Sequence, residues 1–136
     1  MMSPEDYQLR EIEFRGKEIH HMTSVWIFGF YDGTGSCSRI IDSDGNFHLV
    51  LPETVGQYTG VKDKNGEKIY EGDVVFDGEF TGLVWCFRDS ACYTVVYGGT
   101  SKNLEDDHPD HLEIIGNVFD NPEYKKRFGR VFEDES

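Results

Sequence analysis

Short apolar runs recur along the chain between clusters of Gly, Asn and Asp, and this rhythm is typical of an all-β domain. In the first run Ile12 and Phe14 alternate with glutamates, which predicts a half-buried strand over Arg10–Arg15. The next run, Val25–Tyr31, is almost entirely apolar and predicts a central strand. The N-terminal part of the chain therefore indicates a β meander.

Two hairpins are predicted after the central strand. Arg39–Ile41 and Phe47–Leu51 flank a turn rich in Asp and Gly, residues that tolerate the backbone of a tight reversal. Gln57–Val61 and Glu67–Tyr70 flank an Asn-Gly pair, which favours a hairpin turn. The pattern is weakest near Leu51–Gly60, and we place the boundary between two subregions there.

A second β unit follows, in which period-two alternation returns in short segments. Four or five twisted strands joined by Gly turns fit a small barrel, whose closure removes the sheet edges that promote aggregation. An SH3-like barrel is the form that we predict. Its strands are expected within Asp73–Phe76, Leu83–Phe87, Tyr93–Tyr97 and Leu112–Phe119.

One short helix is predicted near the C-terminus. Asn121 is a suitable N-cap, and Pro122 suits the first helical turn. Tyr124 and Phe128 lie four residues apart and share one face, which must dock because so short a helix is unstable alone. The predicted fold class is therefore mainly β, with an N-terminal β meander or hairpins, a small SH3-like barrel and one short C-terminal helix.

Charge and cysteine content narrow the possible partners. The 26 acidic and 13 basic residues give a formal net charge of −13 at pH 7, which argues against direct binding to nucleic acid or to anionic lipid. An acidic face that engages a basic partner is compatible with this charge. No membrane span or signal peptide is expected, and the odd set Cys37, Cys86 and Cys92 predicts reduced packing thiols in a cytoplasm.

Aromatic residues make up 14% of the chain and are the main candidates for a recognition surface. Tyr and Trp are enriched at recognition surfaces because they offer large area with few rotatable bonds. Trp26, Tyr58, Tyr70 and Trp85 are the candidate partner-binding residues. The alternative interpretation is that these rings fill the barrel and cover its ends.

Candidate catalytic and metal chemistry is sparse. The glycine-containing loops match neither a nucleophile elbow nor a nucleotide-binding loop, so we expect neither an enzyme nor a cofactor. The acidic segment Asp106–His111 places His108 and His111 beside carboxylates, a chemistry that can chelate a metal. Pro109 opposes a helical site there, and a solvated loop without metal is the favoured interpretation.

Three stretches together resemble the YopX protein family of phages and prophages: Arg10–Lys17, Val55–Val75 and Leu112–Glu123. Trp26 with the following Gly29 resembles an early step of the same pattern. The resemblance defines a single β domain over residues 10–128, with subregions 10–60 and 61–128, an N-terminal extension over residues 1–9 and a tail over residues 129–136. It implies a small, mostly β protein that works inside a bacterial host, and it implies no reaction.

The functional hypothesis from the sequence is a non-catalytic protein-interaction module or homo-oligomeric scaffold in the bacterial cytoplasm, acting on a host or phage protein. One alternative is a nucleic-acid-related protein, either a single-strand binder or an acidic mimic of DNA. The second alternative is a metal-dependent hydrolase that uses Asp106–His111.

Overall fold

The computed structural model describes residues 11–19, 25–87, 92–107, 109–129 and 131. The N-terminal extension and most of the tail lie outside these residues. The described part of the chain forms eleven strands and one α-helix, with short 3₁₀ turns at Pro52–Thr54, Glu105–Asp107 and Pro109–His111. The elements are β1 (Phe14–Lys17), β2 (Trp26–Asp32), β3 (Arg39–Ile41), β4 (Phe47–Leu49), β5 (Gly56–Lys62), β6 (Lys68–Tyr70), β7 (Asp73–Phe76), β8 (Thr81–Trp85), β9 (Thr94–Val96), β10 (Ser101–Asn103), β11 (Glu113–Asn117) and α1 (Pro122–Arg127).

The first sheet has six antiparallel strands in the order β4-β3-β2-β1-β5-β6. Its first four strands curl, because backbone bonds from Ile19 N to Leu49 O and from Leu51 N to Lys17 O, both 2.9 Å, join the end of β1 to the end of β4. Ile40 and Val50 are buried inside the curl. The sheet therefore has an inner face that holds these aliphatic groups and an outer face.

The second sheet has five antiparallel strands in the order β10-β9-β8-β7-β11. Strands β7 to β10 form a meander, and β11 returns after the 3₁₀ turns to pair with β7, with a bulge between Ile114 and Gly116. This order is compatible with the predicted SH3-like barrel. The barrel stays a prediction, because no pair between described strands joins β10 to β11.

Strands β7, β8 and β9 of the second sheet are buried on both faces. One face packs Val75, Val84, Val95, Leu104 and Leu112 against Ile69 of β6, so the two sheets share a core. The other face packs a second buried cluster around Phe128, which follows α1, and Tyr124 lies partly buried against it. The predicted docking of the short helix is confirmed. The second cluster comprises Val74, Leu83, Val96, Val118, Phe128 and Val131.

The predicted hairpins form, and aspartates organise their turns. Asp42 Oδ1 accepts bonds from the N–H groups of Asp44 and Asn46, at 2.9 and 3.0 Å. Asp63 Oδ1 does the same in the next hairpin, and its Oδ2 accepts a 3.0 Å bond from the Ile114 N–H. The mainly β fold class with one short helix is confirmed, and among the described residues no helix is long and apolar enough to span a membrane.

One expectation of packing is confirmed and one is corrected by the structure. Val25–Tyr31 forms the middle of the first sheet as predicted, with Phe28 and Phe30 exposed because no other layer of described residues covers that part of the outer face. Cys37 and Cys92 are exposed rather than packed, because both lie in connections outside the strands, while Cys86 is half-buried.

Candidate functional site

A buried arginine organises the seam between the two sheets. Arg15, on β1, places its guanidinium carbon 4.3 Å from the ring centre of Trp26 and 4.8 Å from that of Tyr70. Its Nη2 donates a 2.8 Å hydrogen bond to Asp73 Oδ1 on β7. A guanidinium suits this position because its planar faces stack on aromatic rings while its edge pairs with a carboxylate.

Asp73, on β7 of the second sheet, is almost fully buried and accepts hydrogen bonds from two strands of the first sheet. Its Oδ1 accepts from Arg15, and its Oδ2 accepts a 2.8 Å bond from the Tyr70 N–H. Burial raises the pKa of the Asp73 carboxyl above its ordinary value, while the Arg15 charge and the Tyr70 hydrogen bond act in the opposite direction. A buried ion pair of this kind joins elements tightly, because removing either partner leaves an uncompensated charge.

A second polar group lies on the other side of Tyr70. The Tyr70 hydroxyl donates to Glu13 Oε1, and Lys68 Nζ bonds Glu11 and Glu13 at 3.1 and 3.3 Å. Lys68 also lies 5.3 Å from the ring centre of Tyr58. Burial, together with the Glu13 carboxylate, raises the pKa of Tyr70, so its phenol stays protonated and serves as a hydrogen-bond donor.

Trp26 extends this arrangement to the C-terminal turn. Its Nε1 donates a 2.8 Å bond to Asp120 Oδ2, Lys17 forms an ion pair with the same carboxylate, and the ring meets Phe119 edge-on at 6.0 Å. Burial alone would raise the pKa of Asp120, but hydrogen bonds from Lys17, Asn117 and Trp26 outweigh it and hold that pKa below its ordinary value. This carboxylate therefore stays ionised as an anchor.

The four predicted partner-binding aromatics separate into two groups. Trp26, Tyr58 and Tyr70 come together around Arg15, whereas Trp85 lies on β8 against the second buried cluster. Tyr58 and Tyr70 expose 6% and 4% of their surface, so their rings offer little area to a partner. The binding role of all four stays a prediction, and the contacts described here make the cluster a structural clamp.

The most exposed aromatic side chains of the first sheet lie beside the clamp. They were not among the candidate binding residues predicted from the sequence. The register places Phe30, Ile41 and Phe47 directly across β2, β3 and β4 on the outer face. Phe28 and Leu49 lie two positions away on the same face. Phe30 and Phe47 expose 64% and 63% of their surface, and Phe28 and Leu49 expose 45% and 49%. We call these five residues the apolar patch; the period-two spacing of the two phenylalanines on β2 was the available signal.

Charged side chains lie on two opposite sides of the apolar patch. Arg39 lies between Asp32 and Leu49 in the neighbouring row, with its Nε 3.8 Å from Asp32 Oδ2 and its guanidinium carbon 5.7 Å from the ring centre of Phe47. At the opposite end, the exposed Asp44 occupies the tip of the β3–β4 turn. The patch thus has a cation on one side and an acidic turn on the other.

His48 points to the opposite face of β4. Its Nε2 lies 2.7 Å from Asp42 Oδ2, and its Nδ1 lies 3.4 Å from Glu18 Oε2. The hydrogen bond to Asp42 raises the pKa of His48; burial acts against this, and Glu18 adds to it. This histidine is therefore a local electrostatic link between the β3–β4 turn and the end of β1.

The predicted metal-binding segment is only partly within the structure. His108 lies outside the described residues, and His111 is exposed, with its Nε2 3.8 Å from Asp110 Oδ2. Within the described ranges, no group of three or more His, Cys, Asp or Glu side chains is arranged to hold a metal ion. The expectation that the segment is a loop without metal stays a prediction.

The chain is a mainly β protein of two antiparallel sheets, which the Arg15–Asp73 pair joins. A family model described as YopX protein matches residues 7–124, and the chain belongs to that family. No curated protein matches the chain. The resemblance seen in the sequence is thereby confirmed over most of its length.

Proposed function

We propose that this protein is a non-catalytic interaction module, an oligomeric scaffold that binds protein surfaces through the apolar patch. The observation that carries the proposal is the row Phe30–Ile41–Phe47, which lies across three strands with both phenylalanines largely exposed. A contiguous apolar surface on a folded domain is unfavourable unless a partner covers it. Burial of this patch by a partner would therefore contribute the most hydrophobic free energy to a complex.

The size of the patch supports this assignment. An aromatic side chain presents roughly 200 Å², and the three phenylalanines expose between 45% and 64% of their surface. Together they offer on the order of 350 Å², and Leu49 and Ile41 add to that area. Patches of about 300–600 Å² are the largest on ordinary monomers and are commonly functional.

The polar cluster around Arg15 supports a structural role rather than a reaction. Its charged groups neutralise each other at short range, and Tyr70 is held protonated by burial and by Glu13. A general base or nucleophile must instead reach a substrate in a usable protonation state. We therefore assign this cluster to holding β1 and β7 together and not to turnover.

The charge distribution supports a protein partner over a nucleic acid. Five cationic side chains lie in ion pairs with carboxylates, which reduces the positive potential available to phosphate groups. These residues are Arg15, Lys17, Arg39, Lys64 and Lys68. We place the protein in the cytoplasm of a bacterium that carries the phage or prophage, as the family resemblance implies.

The test compares the wild-type protein with two variants, Phe30→Asp in the patch and Phe80→Asp as the control. Phe80 exposes 58% of its surface in the β7–β8 turn, outside the patch. Each protein is immobilised and incubated with lysate of the bacterial host. Any protein that is retained on the wild type and lost from Phe30→Asp is purified and titrated calorimetrically against all three.

A partner, including the chain itself, that binds the wild type and Phe80→Asp equally and Phe30→Asp at least tenfold more weakly would support the proposal. Far-UV circular dichroism checks that both variants fold. Equal binding of every purified partner by all three proteins would overturn the assignment of the patch as the binding surface.

A further inference from the structure

We infer that the apolar patch is covered by a second copy of this chain, in a two-fold arrangement whose axis runs perpendicular to the strands β2, β3 and β4. The inference rests on the proposed function, since it names the occupant of that same surface. It follows from the pattern of charges around the row Phe30–Ile41–Phe47 and from the area that the patch offers.

In a two-fold dimer, the patch of one copy faces the same patch of the other copy, and the symmetry axis lies in the plane between them. That axis can run either along the strands or perpendicular to them. With the axis along β3, the middle strand of the patch, each row faces itself in reverse order, so Arg39 meets Arg39 of the other copy. An axis shifted to lie between β2 and β3 would pair Arg39 with Asp32, but it would leave Phe47 outside the apolar row of the other copy. Two like charges in contact oppose association. This arrangement is therefore unfavourable.

With the axis perpendicular to the strands, the row Phe30–Ile41–Phe47 faces the same row of the other copy. The next row, Asp32–Arg39–Leu49, then faces Phe28 and the β3–β4 turn of the other copy. Asp32 lies opposite Phe28 and keeps the hydrogen bonds that it accepts from Thr34. Arg39 approaches the acidic tip at Asp44, and Leu49 approaches Gly45, which has no side chain to obstruct it. The central rows therefore meet through apolar groups, and opposite charges meet twice.

Both charged groups are available for this contact. Arg39 has one loose ion pair, with Asp32 at 3.8 Å, and its side chain exposes 36% of its surface. The exposed carboxylate of Asp44 has no partner within the described ranges; only its backbone N–H is used, toward Asp42. A second copy supplies each with a counter-ion.

The area is adequate for a modest dimer. The phenylalanines of two copies contribute on the order of 700 Å², approaching half of the roughly 1,600 Å² of a standard interface. The net charge of −13 opposes self-association. At physiological ionic strength this long-range repulsion is screened beyond about 8 Å, whereas the apolar contact is not.

The experiment uses sedimentation velocity of the full chain over a range of concentrations, with the wild type, three variants in the contact (Arg39→Glu, Asp44→Arg and Phe30→Asp) and two control variants. We expect a concentration-dependent dimer for the wild type. Each variant in the contact is expected to raise the dimer dissociation constant at least tenfold. Phe80→Asp and Lys64→Glu, which alter exposed residues elsewhere, are expected to leave it within about twofold.

The decisive step mixes Arg39→Glu with Asp44→Arg in equal amounts. In a mixed dimer the glutamate introduced at position 39 of one copy faces the arginine introduced at position 44 of the other, and the native Asp44 faces the native Arg39. We therefore expect mixing to restore a dimer whose dissociation constant lies within about threefold of the wild-type value, by the additivity of independent contacts.

Three outcomes would overturn the inference: a wild type that is monomeric at every concentration, a dimer that is unaffected by Phe30→Asp, or two charge variants that stay monomeric on mixing. A monomeric chain that still binds another protein through Phe30 would overturn the second copy as occupant and leave the proposed function standing. Loss of both self-association and every Phe30-dependent contact would overturn both.

Discussion

Arg15 and Asp73 form a buried ion pair of 2.8 Å that joins the first sheet to the second across 58 positions of the sequence. The pair is enclosed by the rings of Trp26 and Tyr70. Because neither charge can be resolvated without opening the seam between β1 and β7, we expect the pair to determine the stability of the whole fold.

Replacing one member of this pair is expected to be strongly destabilising. Asp73→Ala leaves the Arg15 guanidinium buried without its counter-ion, and we expect a loss of about 3–5 kcal/mol in the free energy of unfolding. Urea denaturation followed by tryptophan fluorescence measures it. Glu113→Ala, which breaks the exposed pair with Lys64, is the control and is expected to cost less than about 1 kcal/mol. Equal effects of the two substitutions would contradict the prediction.

Removing the Tyr70 hydroxyl is expected to weaken the clamp without collapsing it. Tyr70→Phe keeps the ring that packs on Phe28 and Arg15 and deletes the bond to the Glu13 carboxylate. A hydrogen bond to a charged group contributes about 1.5–3 kcal/mol, and we expect that loss in the free energy of unfolding. Tyr31→Phe removes an exposed 3.2 Å contact with Ser38 and should cost clearly less. A neutral effect of Tyr70→Phe would refute the assigned role.

A close approach between β2 and β3 makes Gly29 irreplaceable. A Cβ atom at Gly29 would lie 2.0 Å from the carbonyl oxygen of Ile41, a backbone atom that cannot move aside as a side chain does. We expect Gly29→Ala to separate the strands and to cost at least the roughly 1–3 kcal/mol that is typical of overpacking. Gly99→Ala meets no atom within 4 Å and should change the unfolding midpoint little. Comparable midpoints for the two variants would show that the strands can separate freely.

The His48 contacts predict a small pH dependence of stability. Its pKa is raised in the folded state by the hydrogen bond with Asp42, despite burial and with the help of Glu18. A histidine with a raised pKa stabilises the folded state below its unfolded-state pKa, and this contribution is lost as the pH rises through the folded-state pKa. Relative to His48→Gln, the wild type should therefore lose stability as the pH rises above the ordinary histidine pKa of about 6.5.

Two measurements check this dependence. Proton NMR should place the midpoint of the His48 titration above the ordinary histidine value, and urea denaturation at several pH values should show that the wild type and His48→Gln converge at high pH. If the difference in free energy of unfolding between the wild type and His48→Gln grew with rising pH, the prediction would be wrong.

Local elements were predictable because their signals lie within a few residues. The hairpin turns at residues 42–46 and 63–67 need aspartates that accept backbone N–H bonds and glycines at Gly45 and Gly66, both with positive φ, and the sequence displays these residues at the required spacing. The helix was marked by Pro122 and by the spacing of Tyr124 and Phe128. Strand β10 was missed, because Ser101–Asn103 carries only polar side chains and shows no hydrophobic alternation, although its backbone pairs with β9.

The candidate site was not predictable to the same degree. The clamp depends on β1 lying next to β5 and on Arg15 meeting Asp73, and neither relationship leaves a local pattern in the sequence. The alternation of Phe28 and Phe30 indicates that they share a face. It does not indicate which face the rest of the chain covers, because that depends on the order of strands contributed from distant segments.

The distance in sequence between Arg15 and Asp73 also bears on synthesis of the protein. The ribosome delivers the arginine 58 residues ahead of its counter-ion, a delay of roughly 3–12 s at ordinary elongation rates. During that interval Arg15 on β1 cannot pair with Asp73, because Asp73 has not yet been synthesised. The contact that joins the two sheets therefore forms only after β7 has left the ribosome.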